Sequence, residues 1–152
     1  MFTSDKRYLI TGASSGIGKA TCRDLINKGA SVIGVARSED KLLRLQEELE
    51  NERFSYKVRD LAKDLDSIPK WIMEISQEIG KLSGLVHSAG IEQIIPLKAY
   101  NSTHLSQLFN INIFSALLLA KGVCDKRVNT GNGTSIVFIS SVASITGSSH
   151  CS

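Results

Sequence analysis

The chain reads as an α/β domain, a doubly wound parallel sheet with helices on both faces in three layers. Strand and helix signals alternate along residues 1–152, with no linker, repeat or low-complexity segment to divide them. Strand candidates such as Val32-Ile33-Gly34-Val35 and Ile136-Val137-Phe138-Ile139 are continuous apolar runs, which suit strands buried on both faces. A glycine-rich turn, Thr11-Gly12-Ala13-Ser14-Ser15-Gly16-Ile17-Gly18, stands between the first strand and the first helix. In that context such a turn seats a dinucleotide pyrophosphate. Right-handed crossovers then give a single Rossmann-type domain.

Residues 7–10 are short and mostly apolar, the first strand. After the glycines, Ile17, Ala20, Thr21, Leu25 and Ile26 fall on one face at helical spacing. Residues 31–36 form the second strand, and Ser38 can cap a helix with Leu42, Leu45 and Leu49 inward. Residues 54–58 alternate as a third strand. The next helix starts near Ser67, tolerates Pro69 in its first turn, and turns Ile68, Ile72, Ile75 and Ile79 inward. Residues 84–87 are a fourth strand, about 103–126 one long helix, 129–133 a turn and 135–139 a fifth strand.

The totals exclude several classes of partner. The chain is 42% hydrophobic and 22% charged, and its 18 basic and 15 acidic residues leave a net charge of +3. That excess is too mild and scattered to predict nucleic-acid or membrane binding. No apolar run approaches the roughly 20 residues needed to span a bilayer, and residues 1–6 hold no secretory core. Cys22, Cys124 and Cys151 show no metal spacing. They read as free thiols of a cytoplasmic protein.

Within the glycine turn, Gly12 allows a tight exit from the strand, Gly16 lets backbone approach phosphate, and Gly18 lets the helix pack close to the sheet. The helix N-terminus offers unpaired N–H groups to the same phosphates. A second anchor is expected at the end of the second strand, where an acid would bind the adenosine ribose and repel a 2′-phosphate. Ala36-Arg37-Ser38 stands there instead. A guanidinium suits bidentate phosphate contact, so the predicted cofactor is NADP(H). The alternative reading of Arg37 is a solvated residue ahead of a helix.

The form T-G-x-x-x-G-x-G, with its surrounding sequence, resembles the short-chain dehydrogenase/reductase family, and further segments extend the likeness over essentially the whole chain. The resemblance assigns the cofactor to Gly12, Ser14, Ser15, Gly16, Ile17 and Gly18, then Arg37 and Ser38, then Asp60 and Leu61 after the third strand. In the family an aspartate there accepts from the adenine amino group; Asp64 competes for that role. His87-Ser88-Ala89-Gly90 is similar to the family's N-N-A-G segment, with Ala89 and Gly90 matching and both asparagines replaced. His87 is expected to be a hydrogen-bonded strand-end residue.

Asn112 falls at spacings of three and four with Leu105, Leu108, Ser115 and Leu119, hence on an apolar face, where a bare amide costs about 1–3 kcal/mol. Its segment resembles the family helix whose asparagine supports a water-linked proton relay; Asn110 reads as structural. Ser140-Ser141 resembles the I-S-S segment, in which the second serine hydrogen-bonds the substrate oxygen. Strand alternation separates the two serines and gives Ser141 the catalytic part.

The family's Tyr-x-x-x-Lys pair, which supplies the acid and holds the nicotinamide ribose, is expected just past Ser152. Tyr8, Tyr56 and Tyr100 have no lysine four residues on. The resemblance thus implies the N-terminal part of a 3-oxoacyl-reductase-like enzyme, with its later strands and helices missing. Such an enzyme moves hydride between NADP(H) and a small carbonyl or alcohol substrate, and is a homo-oligomer when complete. The 152-residue chain alone is expected to be inactive. The alternative is a non-catalytic nucleotide-binding module or natural truncation.

Overall fold

The computed structural model describes residues 5–131 and 133–141. Its five-stranded sheet has the order β3-β2-β1-β4-β5, built from β1 (Arg7–Thr11), β2 (Ser31–Ala36), β3 (Phe54–Val58), β4 (Gly84–His87) and β5 (Ser135–Phe138). Every pairing is parallel. The order reverses direction at β1, whose neighbours are β2 and β4. That is the topological switch point, where open α/β sheets bind ligands at the strands' carboxyl ends.

Helices cover both faces. α1 (Gly16–Asn27) and α2 (Glu39–Leu49) lie on one side, closing a core of Ile10, Cys22, Ile26, Val32, Leu42, Leu45 and Phe54. α3 (Ile68–Ile79) and the helical run after residue 101 cover the other, around Leu9, Ile33, Leu61, Ile72, Leu85, Leu119 and Val123. Continuous Val/Ile strands follow from this double coverage, since neither face of the central strands meets water. Gly122 permits the α3 contact; a Cβ there would lie 2.9 Å from the Ile72 Cβ.

Several expectations need correction. The long helix is three pieces: α4 (Ser102–Phe109), a π turn (Asn110–Phe114) and α5 (Ser115–Val123). Leu105 is exposed, so the apolar stripe begins only at the π turn. In α1 the inward residues are Gly18, Cys22, Leu25 and Ile26; Ile17 is 58% exposed and Ala20 is exposed too. Ser38 occupies the N-cap of α2 but makes no side-chain cap bond. β5 ends at Phe138, one residue before the expected end, and is the outermost strand among the described residues. Pro69 does sit in the first turn of α3, with Ile68, Ile72 and Ile75 buried. The expected positions of Cys151 and Ser152 lie outside the described residues.

Candidate active site

The first half of the site is made by the turn from β1 into α1. Gly12 has φ +69°, and a Cβ on it would meet the Ser88 carbonyl carbon and oxygen at 2.8 Å. Gly18 is closer still; its Cβ would stand 2.3 Å from the Gly12 carbonyl oxygen. Both glycines therefore let three backbone segments converge: the turn, the start of α1 and the loop after β4. Gly16 has φ +52° with nothing within 4 Å of its Cβ position. Ser15 is the N-cap of α1 without a side-chain cap bond, and no acid stands in the first turn. The helix thus presents uncapped N–H groups and its positive dipole end to the cleft.

That cleft has a volume of about 460 Å³. It brings together Gly12, Ser14, Ser15, Gly16, Ile17, Arg37, Leu61, Ala89 and Gly90 of the predicted cofactor residues. Gly18 shapes it from behind rather than lining it. Ser38 does not line it. Asp60 borders an adjoining hollow of about 220 Å³ that also reaches Arg37. Its Oδ1 accepts the Ala62 N–H at 3.0 Å, and Lys63 Nζ lies 3.9 Å from Oδ2. The sequence reading missed Arg59, which lines the main cleft. Its guanidinium stacks 4.6 Å over Trp71 and donates to Ser67 Oγ at 2.6 Å and the Asp64 carbonyl at 3.2 Å. A cation directly before Asp60, at a strand end, was the available signal. Among the described residues neither Arg37 nor Arg59 is in a salt bridge, so this end of the cleft is positive.

A second cleft, about 440 Å³, continues from the loop after β4. Asn112, Ser140 and Ser141 line it together with His87 and Gly90. Ser140 and Ser141 lie beyond the end of β5, so strand alternation does not separate them as expected, and both reach the cleft. Asn112 is half-buried and fully engaged: its Oδ1 accepts the Ile91 N–H and its Nδ2 donates to the Ile91 carbonyl, each at 2.9 Å. This two-point bond ties the loop after β4 to the π turn. The turn is closed by the Ser115 N–H donating to the Asn110 carbonyl, while Ser115 Oγ donates to the Ile111 carbonyl at 2.7 Å. Asn110 is structural, donating to the Ala62 carbonyl at 3.2 Å.

His87 takes the place of the first asparagine of the resembled segment. Its Nδ1 lies 2.9 Å from the Thr11 hydroxyl, which also accepts the Ala89 N–H at 3.2 Å. Burial lowers the imidazole pKa below the ordinary histidine value, opposed by the facing Ile111 backbone. Thr11, Ser88 and Ile91 were not among the predicted site residues. Thr11 opens the glycine motif and was legible there; Ile91 acts only through its backbone and left no side-chain signal.

None of the three tyrosines lines either cleft. The Tyr100 hydroxyl donates to the Gln93 carbonyl at 3.0 Å, and Tyr8 and Tyr56 pack on the α1–α2 core. Among the described residues no three metal-ligating side chains converge, and no helix is long and apolar enough to cross a membrane.

The family model described as short chain dehydrogenase matches residues 6–152. The 3-oxoacyl-acyl-carrier-protein reductase FabG of Buchnera aphidicola is 35% identical over 138 residues, 91% of this chain and 55% of that protein. A short-chain type dehydrogenase/reductase from Mycobacterium ulcerans superposes with a TM-score of 0.84 at 30% identity, covering 97% of this chain and 55% of that one. An actinorhodin polyketide ketoreductase with NADPH gives 0.85 at 25% identity, covering 99% and 59%. The chain spans about half the length of the relatives it matches.

Proposed function

We propose, for a chain that belongs to the short-chain dehydrogenase/reductase family, that the complete protein moves a hydride between NADP(H) and a small carbonyl or alcohol substrate. One observation carries the reading. The uncapped N-terminus of α1, the close-packed glycine turn and the exposed guanidinium of Arg37 share one cleft, and that cleft adjoins the one holding Asn112 and Ser141. The residues fit a dinucleotide, because the backbone cradle at Gly12 and Gly18 has no room for a Cβ and, among the described residues, neither Arg37 nor Arg59 at the ends of β2 and β3 is in a salt bridge. Ser14, Ser15 and Gly16 would hold the pyrophosphate, Arg37 the 2′-phosphate with Ser38 next to it in the chain, Asp60 the adenine amino group, and Ala89 and Gly90 the nicotinamide side. The NADPH in the ketoreductase relative supports that choice of cofactor.

When bound, the nicotinamide supplies the hydride. The protein's own groups orient the acceptor: Ser141 Oγ donates to the carbonyl oxygen, and Asn112 keeps the loop after β4 and the π turn in register. In the family the proton donor is the tyrosine of a Tyr-x-x-x-Lys pair, and none of Tyr8, Tyr56 and Tyr100 has a lysine four residues on; general acid catalysis of this kind contributes about 10²–10⁴-fold, so the reading expects no turnover from residues 1–152 by themselves. The same reading makes the protein cytoplasmic, supported by the free thiols Cys22 and Cys124, and a homo-oligomer when complete. The second reading, a nucleotide-binding module without catalysis, is favoured by the lack of a tyrosine at either cleft.

The deciding experiment follows NADPH and NADH oxidation by the complete protein with small diketones and 3-oxoacyl thioesters. Turnover with NADPH preferred supports the enzyme. Tight NADPH binding with no turnover of any carbonyl selects the module.

A further inference from the structure

We infer that His87 is a positioning residue for the reaction proposed above, on which this inference rests: as the neutral Nε2–H tautomer its ring, through the Thr11 hydroxyl, holds the loop that carries Ala89 and that Asn112 grips at Ile91. His87 ends β4 and is paired with Thr11 of β1 and Phe138 of β5. It is 3% exposed, and Phe138 meets the ring edge-on, with centroids 6.2 Å apart. It therefore sits between the cofactor turn on one side and the strand leading to Ser141 on the other.

The tautomer follows from counting protons. Thr11 is wholly buried. Its hydroxyl accepts the Ala89 N–H and carries one proton of its own to place. Among the described residues, the acceptor within reach is His87 Nδ1, at 2.9 Å. Nδ1 then bears the lone pair and Nε2 bears the hydrogen. Nε2 is buried with no partner in hydrogen-bond geometry among the described residues, and the polar group facing the ring is the Ile111 backbone. Asn112, on the π turn, grips the loop that carries Ala89 by its two bonds to the Ile91 backbone.

Protonation undoes the arrangement. Nδ1–H then donates to Thr11 Oγ, which keeps a second lone pair for the Ala89 N–H, and the buried Thr11 proton loses the acceptor it had. The ring's neighbours on β1, β5 and the π turn are Thr11, Phe138 and the Ile111 carbonyl, none ionisable. Glu92 is the carboxylate lining the adjoining cleft. Burial keeps the imidazole neutral to a pH below the ordinary histidine value. Activity should thus hold at neutral pH and fall on an acid limb lying below pH 6.5 or so, the reference value.

The test uses the complete protein with NADPH bound. Ring-nitrogen NMR near neutral pH should show the His87 Nε2–H tautomer, and an Nδ1–H tautomer overturns the inference. His87→Leu keeps the bulk and removes both nitrogens. It should lower kcat by about 10- to 100-fold, the scale of a misplaced catalytic group, leave NADPH affinity near wild type and abolish the acid limb. His87→Asn, whose amide oxygen can accept from Thr11, should restore most of kcat without the acid limb. A His87→Leu enzyme with wild-type kcat and the same acid limb refutes the role. If His87→Leu does not fold, the tautomer of the wild-type protein still decides. Absence of any carbonyl turnover by the wild-type protein would sink the reductase reading, a result separate from the tautomer.

Discussion

Replacing Gly18 by alanine tests the glycine cradle most directly. The added Cβ would stand 2.3 Å from the Gly12 carbonyl oxygen, 2.6 Å from its carbon and 3.1 Å from the Ala13 nitrogen. All three are backbone atoms, so no side chain can swing aside. To reach ordinary contact, α1 must move away from the turn by about 1 Å. Overpacking of this sort costs about 1–3 kcal/mol, which for a domain of this size lowers Tm by roughly 2–4 °C per kcal/mol. Function should suffer more than stability, because the same displacement takes the N–H groups of α1 off the phosphates. Gly16→Ala is the control for stability: φ +52° strains it, by about 1–2 kcal/mol, but no protein atom lies within 4 Å of its Cβ. Thermal unfolding of both variants and NADPH titration of Gly18→Ala give the comparison. A Gly18→Ala protein with wild-type Tm and wild-type NADPH affinity would falsify the claim that close backbone approach builds this site.

Arg37→Ala should weaken NADPH by about 1–3 kcal/mol, the scale of a lost charge-assisted bond, and leave NADH nearly unchanged; equal losses in a titration would remove the 2′-phosphate assignment. Ser141→Ala should lower kcat strongly at normal cofactor affinity, whereas Asn112→Ala should lower both kcat and Tm because it frees the Ile91 backbone pair; a silent Ser141→Ala beside a damaging Ser140→Ala would reverse the serine assignment. Residues 1–152 expressed alone should oxidise no NADPH with diketones and should self-associate on gel filtration through Phe109, Leu117, Val137 and other exposed apolar residues; a monodisperse, active monomer would overturn this. Iodoacetamide at neutral pH should label exposed Cys124 and spare Cys22, whose thiol burial pushes up to about 12; peptide mapping showing Cys22 labelled in the folded protein would contradict that burial.

What the sequence made legible was whatever is encoded locally. The strands were found because both-face burial demands unbroken apolar runs, and α3 because Ile68, Ile72 and Ile75 repeat at one helical period. The glycine turn was found because its conformation and close approaches exclude every other residue. The misreadings share a physical origin, since each depends on groups distant in sequence. The π turn forms where Asn112 grips Ile91, 21 residues earlier; apolar spacing along one helix does not contain that bond. Ile17 and Ala20 match the helical period of α1, yet they border an open hollow over β1, β4 and β5 with Tyr8, Val86 and Ser135, and Ile17 also lines the main cleft. Arg59 was passed over because lying beside a conspicuous aspartate says nothing of the Trp71 ring that holds it. His87 shows the same limit from the other side. A hydrogen-bonded residue at the strand end was expected there, and imidazole Nδ1 does reach Thr11 across the sheet at 2.9 Å; the partner, on another strand, was not legible. The substitution also introduces an ionisable group, held by burial below the ordinary histidine value, where an amide would not titrate. The residues hardest to read in the sequence are therefore those whose partners are backbone groups on neighbouring strands. The sequence names their side chains, and only the sheet order shows what those side chains hold.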